Sequence, residues 1–344
     1  SVRRACSKWC ADRDSRNERP ASDGGRAFGC MAMRYSCATS STMAFIPADF
    51  RITDGKKFRL ADHPTELSER ISKDALKKLL AEDSEGIIKL QERLYAEGRR
   101  SLLLIFQAMD AAGKDSCIDH VLSGVNPQGC EVRSFKQPSG EELAHDFLWR
   151  HMKAAPARGM IGVHNRSHYE EVLVVKVHPE YLIGQRLPGI SSPKDANLPT
   201  GQAGAAFWEK RYAAIRAWEE HLADNGTVTM KFFLHMGKKE QKKRFLERID
   251  DPEKNWKFSV GDVKEREHFD AYMKAYEDAI RATAAPHAPW FIVPADEQWE
   301  MRAIVGDLVR DRLEAMDPKR PVLSAKAKEE LEDARKMLGA DQAG

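Results

Sequence analysis

The feature that most restricts this chain is a short apolar run that leads into a glycine turn. Ser101-Leu-Leu-Leu-Ile-Phe106 is continuously apolar after its first residue, as a strand covered on both faces must be. Asp110-Ala-Ala-Gly113-Lys114 follows three residues later. Asp115–Leu122 then puts Cys117, Ile118, Val121 and Leu122 on one helical face. Strand, glycine loop and helix in that order form a phosphate-binding loop, because backbone N–H groups converge on an anion at the start of the helix. Ala111, Ala112, Gly113, Lys114, Asp115 and Ser116 are the residues expected to surround that anion. Against the pattern G-x-x-x-x-G-K-[ST], Ala108 replaces the first glycine and Asp115 the final hydroxyl residue, with Ser116 one position late. Lys114 is placed to neutralise a terminal phosphate. Asp110 would repel phosphate unless Mg²⁺ lay between them, so it reads as a metal ligand.

The flanking text has the same alternation. A helix is expected over Lys73–Glu97, stopped by Gly98, and strands over Glu131–Phe135, Gly159–Val163, Val228–Leu234 and Trp290–Val293. Helices are expected over Phe207–Leu222, Lys238–Ile249, His268–Thr283 and Trp299–Met316. Ser139 is read as the start of a further helix whose apolar stripe is Leu143, Phe147, Leu148 and Met152. Residues 183–206 read as a long loop, and Ala325–Gly344 as a charged, helix-prone tail. Strands alternating with helices give an α/β fold, a parallel sheet wrapped on both faces. In such a sheet the strand C-termini line the ligand crevice, so a polar residue where the strand runs into Val163-His-Asn165-Arg166-Ser-His-Tyr-Glu-Glu171 faces the glycine loop, the position of a second metal-binding group. Arg166 suits phosphoryl oxygens because its fork matches them bidentately. His168 and Tyr169 read as core packing, and Glu170 and Glu171 as a solvated helix start.

Charge narrows the function. Residues 1–42 hold eight Lys/Arg and four acids, so the formal net charge of +2 for the whole chain leaves −2 for residues 43–344. A nearly neutral body lacks the broad positive field of a nucleic-acid binder, so any polyanion must be held by a local cluster. Lys238–Arg266 supplies one: ten basic residues, Arg244, Arg248 and Lys257 among them, against seven acids. A helix, a break at Asp251-Pro and a second segment make it a helical lid that closes cations over phosphates. Trp256 and Phe258 among those cations argue against a plain solvated face. No apolar run approaches the ~18–20 residues of a membrane helix. Four of the six cysteines (Cys6, Cys10, Cys30, Cys37) lie in the N-terminal tail, at spacings that do not favour structural zinc. Two cysteines in the body fit a reducing, cytoplasmic setting. Residues 1–43 are expected to be a disordered leader, 44–320 the catalytic domain with its lid at about 238–266, and 321–344 the tail.

Six spaced motifs carry a resemblance. Gln107-Ala-Met-Asp-Ala-Ala-Gly-Lys-Asp115, Val125-Asn-Pro127, Phe147-Leu-Trp-Arg150, Asn165-Arg-Ser-His-Tyr-Glu-Glu-Val-Leu173, Lys231-Phe-Phe-Leu-His235 and Asn255-Trp-Lys-Phe258 occur in the order found in the polyphosphate kinase 2 family, which the chain resembles from about Phe45 to Met316. The resemblance implies a three-layer, thymidylate-kinase-like P-loop fold. It also implies Mg²⁺-dependent transfer of a terminal phosphoryl between inorganic polyphosphate and a nucleotide, ADP to ATP, and a homo-oligomer, a dimer or tetramer. It gives Asp110 and Asn165 to the metal, Lys114 and Arg166 to the transferred phosphate, and Arg244, Arg248 and Lys257 to polyphosphate or nucleotide phosphates. Asn165 stands where many members have Asp, and an amide coordinates Mg²⁺ more weakly than a carboxylate. His168-Tyr-Glu170 resembles the subgroup that phosphorylates AMP as well as ADP, which gives Glu170 a nucleotide- or metal-positioning role. Guanine nucleotides remain open as acceptors. Two other functions are compatible with the residues alone: an ATP-dependent nucleotide or small-molecule kinase on this fold, and a non-catalytic polyanion binder.

Overall fold

The computed structural model describes residues 45–196, 204–253, 255–257 and 259–340. The expectations for residues 1–43, for the tail cysteines and for Phe258 lie outside the described residues, as does the side chain of Lys257. Six strands form one sheet: β1 (Arg51–Ile52), β2 (Ser101–Ala108), β3 (Cys130–Ser134), β4 (Ile161–Asn165), β5 (Thr227–His235) and β6 (Trp290–Pro294). Their order is β1-β6-β5-β2-β4-β3, parallel except for β1. The antiparallel β1 was not expected. It is two residues long, too short for any periodicity, and is held by pairing Arg51 with Phe291 and Ile52 with Trp290.

Seven longer helices occur among the described residues: α1 (Lys73–Glu97), α2 (Lys114–Val121), α3 (Ala205–Asp224), α4 (Lys238–Asp250), α5 (Phe269–Thr283), α6 (Gln298–Met316) and the exposed α7 (Ala325–Ala340). One layer is α1, α2 and α6, and the other is built on α3 and α5. The Ser72 hydroxyl caps α1 by accepting the Ala75 N–H, and Gly98 ends it at φ 61°. β2 is buried from Ser101 to Gln107, which explains its unbroken apolar text. Phe106, Phe232 and Phe291 stack across β2, β5 and β6 with centroids 4.9 and 5.4 Å apart, tying three neighbouring strands into one core. No helix among the described residues is long and apolar enough to cross a membrane.

Three expectations need correction. Glu171, read as part of a solvated helix start, is buried, and its carboxylate accepts from Gln185 Nε2 at 2.6 Å and from Arg211 Nη1 at 3.4 Å. The helix starting at Ser139 is broken. Ser139 and Glu142 do form a reciprocal cap, with Ser139 N–H donating to the Glu142 carboxylate at 2.7 Å. However, His145 turns extended (ψ 172°), and the Asp146 carboxylate accepts the Leu148 N–H and starts a new short helix, Trp149–Lys153. The stripe accordingly fails at Met152, which is exposed. Within the expected loop, 183–206, the described residues include the end of the short helix Tyr181–Gly184, the short helix Pro193–Ala196 and the start of α3 at Ala205, with Ile190 and Ala196 buried.

Candidate functional site

β2 and β4 are adjacent and parallel, with Phe106 paired to Asn165, so their C-terminal ends open side by side. The glycine loop leaves β2 and passes through Ala111 at φ 66° and Gly113 at φ 91° before α2 begins at Lys114. A left-handed backbone costs an L-residue about 1–2 kcal/mol and glycine almost nothing. Ala111 therefore holds strain that the rest of the loop must maintain. Arg166, the first residue after β4, is left-handed as well (φ 63°), with its N–H held by the Phe106 carbonyl. Two of the four described non-glycine residues with positive φ thus face this opening from neighbouring strand ends.

The side chains interlock across the opening. The Lys114 Nζ donates to Asn165 Oδ1 at 2.6 Å, and Asn165 Nδ2 donates to Asp115 Oδ1 at 2.7 Å. An Arg166 Nη2 donates to Asp110 Oδ1 at 3.0 Å. Asn165 is therefore a fastener between Lys114 and Asp115. Gln107 Nε2 donates to Ser167 Oγ at 3.0 Å and also helps hold Glu170. Burial pushes the Glu170 carboxyl above its usual range, aided by Asp110 and opposed by Arg166 and Lys114. Burial, and then the Arg166 charge, lower the Lys114 amine, while Glu170, Asp115 and Asp110 oppose that shift. Asp110, Lys114, Asp115, Asn165, Arg166 and Glu170 therefore form one electrostatic unit.

Other expected residues lie elsewhere in the architecture. Ser116 Oγ accepts from Arg302 at 2.7 Å, at the side of α2. Arg244 was expected to meet phosphate, but all five of its N–H donors are engaged. Nε donates to Glu240, Nη1 to the carbonyls of Ala111 (3.3 Å) and Ala112 (2.9 Å), and Nη2 to those of Ala295 (2.7 Å) and Asp296 (2.9 Å). It braces the glycine loop from behind. Arg248 lies 3.7 Å from Asp262 and over the Phe245 ring. Trp256 is 74% exposed and donates its Nε1–H to the Glu253 carbonyl, so it points away from the core of this cluster.

Sequence reasoning missed several participants. Gln241 Nε2 donates to the Asp110 carbonyl at 3.2 Å. Asp262 was counted only as one acid of a charge run. Burial raises its carboxyl above the usual range, as does Asp110, against Arg248 and Arg166. Tyr276 on α5 is buried beside Glu170 and Arg166, and burial and Glu170 push its phenol well up. Only an apolar helical stripe marked it in the sequence. His168 and Tyr169 are fully buried, as the core reading required. The Tyr169 hydroxyl donates to Glu219 at 2.8 Å, and the Lys231 Nζ donates to Glu219 at 2.6 Å, to Tyr169 at 3.0 Å and to the Thr283 carbonyl at 2.8 Å. This buried network anchors the turn that carries Arg166 and Glu170.

Beside Arg166 and Glu170 lies a cavity of about 380 Å³, whose wall includes Phe135, Lys136, Arg150 and Tyr181. That volume falls in the range of small-molecule sites.

The sequence matches the family described as Polyphosphate kinase 2 (PPK2) over residues 70–181 and 200–321. It is 48% identical over 290 residues to an ADP-polyphosphate phosphotransferase from Rhodopseudomonas palustris, covering 84% of this chain and 97% of that protein. It is 43% identical over 244 residues to an AMP/ADP-polyphosphate phosphotransferase from Meiothermus ruber, covering 71% of this chain and 83% of that one. The fold is similar to the crystal structure of Polyphosphate Kinase 2 from Arthrobacter aurescens TC1, with a TM-score of 0.73, 40% identity, and coverage of 84% of this chain and 96% of that chain.

Proposed function

The chain belongs to the polyphosphate kinase 2 family, and from that premise we propose that it moves a terminal phosphoryl group between polyphosphate and an adenine nucleotide at the opening between β2 and β4. The observation that carries this reading is the convergence of two strand ends. Lys114 is fixed by Asn165 at 2.6 Å and Arg166 by Asp110 at 3.0 Å, so two cations stand where a phosphate would meet the loop amides. Phosphoryl transfer needs little covalent chemistry from the protein. Positioning and charge supply most of the catalysis. Lys114 and the loop N–H groups hold the terminal phosphate, and Arg166 takes the equatorial oxygens on which charge accumulates. Glu170 and the adjoining 380 Å³ cavity orient the acceptor nucleotide. Closure of the 238–266 segment over the opening would exclude water, the competing acceptor.

The donor set fits a divalent cation. Asp110, Asp115 and the Asn165 amide offer hard oxygens, the kind that suits Mg²⁺ and not a thiophilic ion. Asp110 would hold the ion, with Asp115 and Asn165 beside it. When bound, Mg²⁺ would neutralise charge that develops on the transferred phosphoryl.

The name of the Meiothermus ruber relative and the His168-Tyr-Glu170 sequence support AMP as well as ADP as acceptor. Cys117 and Cys130 are both free thiols, which fits a cytoplasmic enzyme. The resemblance favours a dimer or tetramer, which light scattering would test. The decisive assay incubates the full chain with polyphosphate and Mg²⁺ plus AMP, ADP, GMP or GDP separately and identifies the product nucleotides. ATP from ADP, with ADP from AMP, is expected. Turnover with ATP but none with polyphosphate as sole donor overturns the reading.

A further inference from the structure

Behind the transfer site lies a second cluster that the phosphoryl chemistry does not use. His151 sits on the short helix Trp149–Lys153, His164 on β4 one residue before Asn165, and His168 on the turn after it. All three are fully buried, and one ring nitrogen of each lies within 4.8 Å of the others. It is the one group of this kind among the described residues. The Nδ1 atoms of His151, His164 and His168 have no hydrogen-bond partner. A buried polar atom left unpaired costs about 1–3 kcal/mol, and three in one place call for a common occupant.

From this geometry we infer that His151, His164 and His168 form a structural site for a borderline transition-metal ion of the Zn²⁺ class, separate from the Mg²⁺ opening. The outer contact of one ring already has the form that metal sites use. His164 Nε2 lies 3.1 Å from the Ala154 carbonyl, so an outward N–H fixes its tautomer and leaves the lone pair on Nδ1. In His168 both ring nitrogens lack a hydrogen-bond partner, with Nε2 3.4 Å from the Glu219 carboxylate, so no bond commits its tautomer. His151 is different: its Nε2 accepts from Arg150 Nε at 3.3 Å, so its proton sits on Nδ1. Ligation shifts that proton to Nε2 and gives up this long contact. Arg150 keeps its bond to the Lys136 carbonyl at 2.8 Å.

The surroundings allow a cation. Arg150 and Lys231, the nearest positive groups, each face a carboxylate, Glu171 at 3.7 Å and Glu219 at 2.6 Å. Burial, the leading cause for each imidazole, lowers its pKa, so the ligands are neutral near pH 7. Phe135 and Trp218 wall the site, with ring centroids 4.2 Å from His151 and 4.8 Å from His168. Imidazole nitrogens select Zn²⁺, Co²⁺ or Ni²⁺ over Mg²⁺, which prefers oxygen. Tetrahedral Zn–N bonds of about 2.0–2.1 Å set the nitrogens about 3.3 Å apart, so the rings need only close in from 4.8 Å. An ion there would join β4, the following turn and the helix before β4, the scaffold beneath Asn165, Arg166 and Glu170.

The test uses the full chain without a histidine tag, stripped with a chelator and then titrated with Zn²⁺ or Co²⁺ in excess Mg²⁺. We expect one equivalent of metal per chain by elemental analysis after gel filtration, a visible Co²⁺ spectrum of nitrogen-ligand type, and a higher Tm with Zn²⁺. His164→Phe and His151→Leu should each abolish the spectrum, whereas alkylation of the cysteines should leave it intact. If either variant fails to fold, the wild-type spectrum and stoichiometry still decide. Substoichiometric metal with no Co²⁺ bands overturns the site. Bands of sulfur-ligand type that alkylation removes overturn it too. None of these readouts depends on turnover.

Discussion

Replacing Lys231 with Met tests how the transfer site is anchored. Lys231 and Glu219 are 0% and 1% exposed in their side chains and lie 2.6 Å apart. Burial alone pushes the Glu219 carboxyl up, but the Lys231 charge, aided by the His168 contact, outweighs it and holds Glu219 below its usual range. The pair is therefore ionised inside the core. Lys231→Met removes one charge, keeps most of the volume, and strands the other. Breaking such a pair costs about 3–5 kcal/mol, because the remaining ion has lost its water without compensation. For a chain of this size that lowers Tm by on the order of 10 °C. Glu219 also accepts from Tyr169 and so fixes the turn before Glu170, which means kcat should fall further than the folded fraction alone explains. Lys231→Met combined with Glu219→Gln removes the stranded charge and leaves an amide that still meets Tyr169. The double variant should regain most of the lost Tm, a coupling of at least about 2 kcal/mol in a double-mutant cycle. Thermal unfolding by calorimetry, with steady-state kinetics on the same samples, reads both effects. A Lys231→Met protein melting within about 2 °C of wild type, or two single losses that simply add, would refute the reasoning.

Other outcomes follow from the same geometry. Asp110→Asn and Lys114→Ala should each nearly abolish ATP formation from polyphosphate and ADP while Tm changes little; full activity in either one contradicts the assigned roles. Arg244→Met should lower Tm and kcat together, since it leaves four loop carbonyls without their donor. A rise in KM for polyphosphate at unchanged Tm would instead make Arg244 a phosphate ligand. Asp83 and Asp307 are raised to about 7 and about 6, by burial first, with Asp307 adding to the shift at Asp83. Their folded pKa values exceed the unfolded ones, so the stability they contribute is complete below about pH 4 and is lost as pH rises towards 7. Asp83→Asn should flatten the Tm profile over that window, and an unchanged profile would disprove the shift. Affinity for polyphosphate should fall with added KCl, as a grip based on charge requires; salt-independent binding would point to a different mode of recognition.

Much of this was legible in the sequence because local rules and tertiary demands agree there. β2 reads as buried since every residue from Leu102 to Phe106 is apolar, and the loop reads as phosphate-binding since Gly113-Lys114 must begin a helix. The motif around Asn165 and Arg166 fell at a strand end, where parallel sheets put their chemistry. What failed depended on partners far away in the chain. Nothing near Arg244 foretells the carbonyls of Ala295 and Asp296 that bind it. Likewise, Lys231 looks like a strand residue open to water until Glu219 on α3 and Thr283 on α5 are packed over it. The broken helix after Ser139 shows a local failure. The apolar spacing was helical, but Asp146 offered the Leu148 N–H a competing bond, which spacing does not record.

The bolting of α4 to the glycine loop has a consequence for motion. Gln241 and Arg244 fasten the first half of that helix to Asp110, Ala111 and Ala112 and to the end of β6. This stretch therefore belongs to the stationary floor of the enzyme. A lid closing from this segment would have to move the chain after Arg244, since the turns that carry Gln241 and Arg244 are held to the loop.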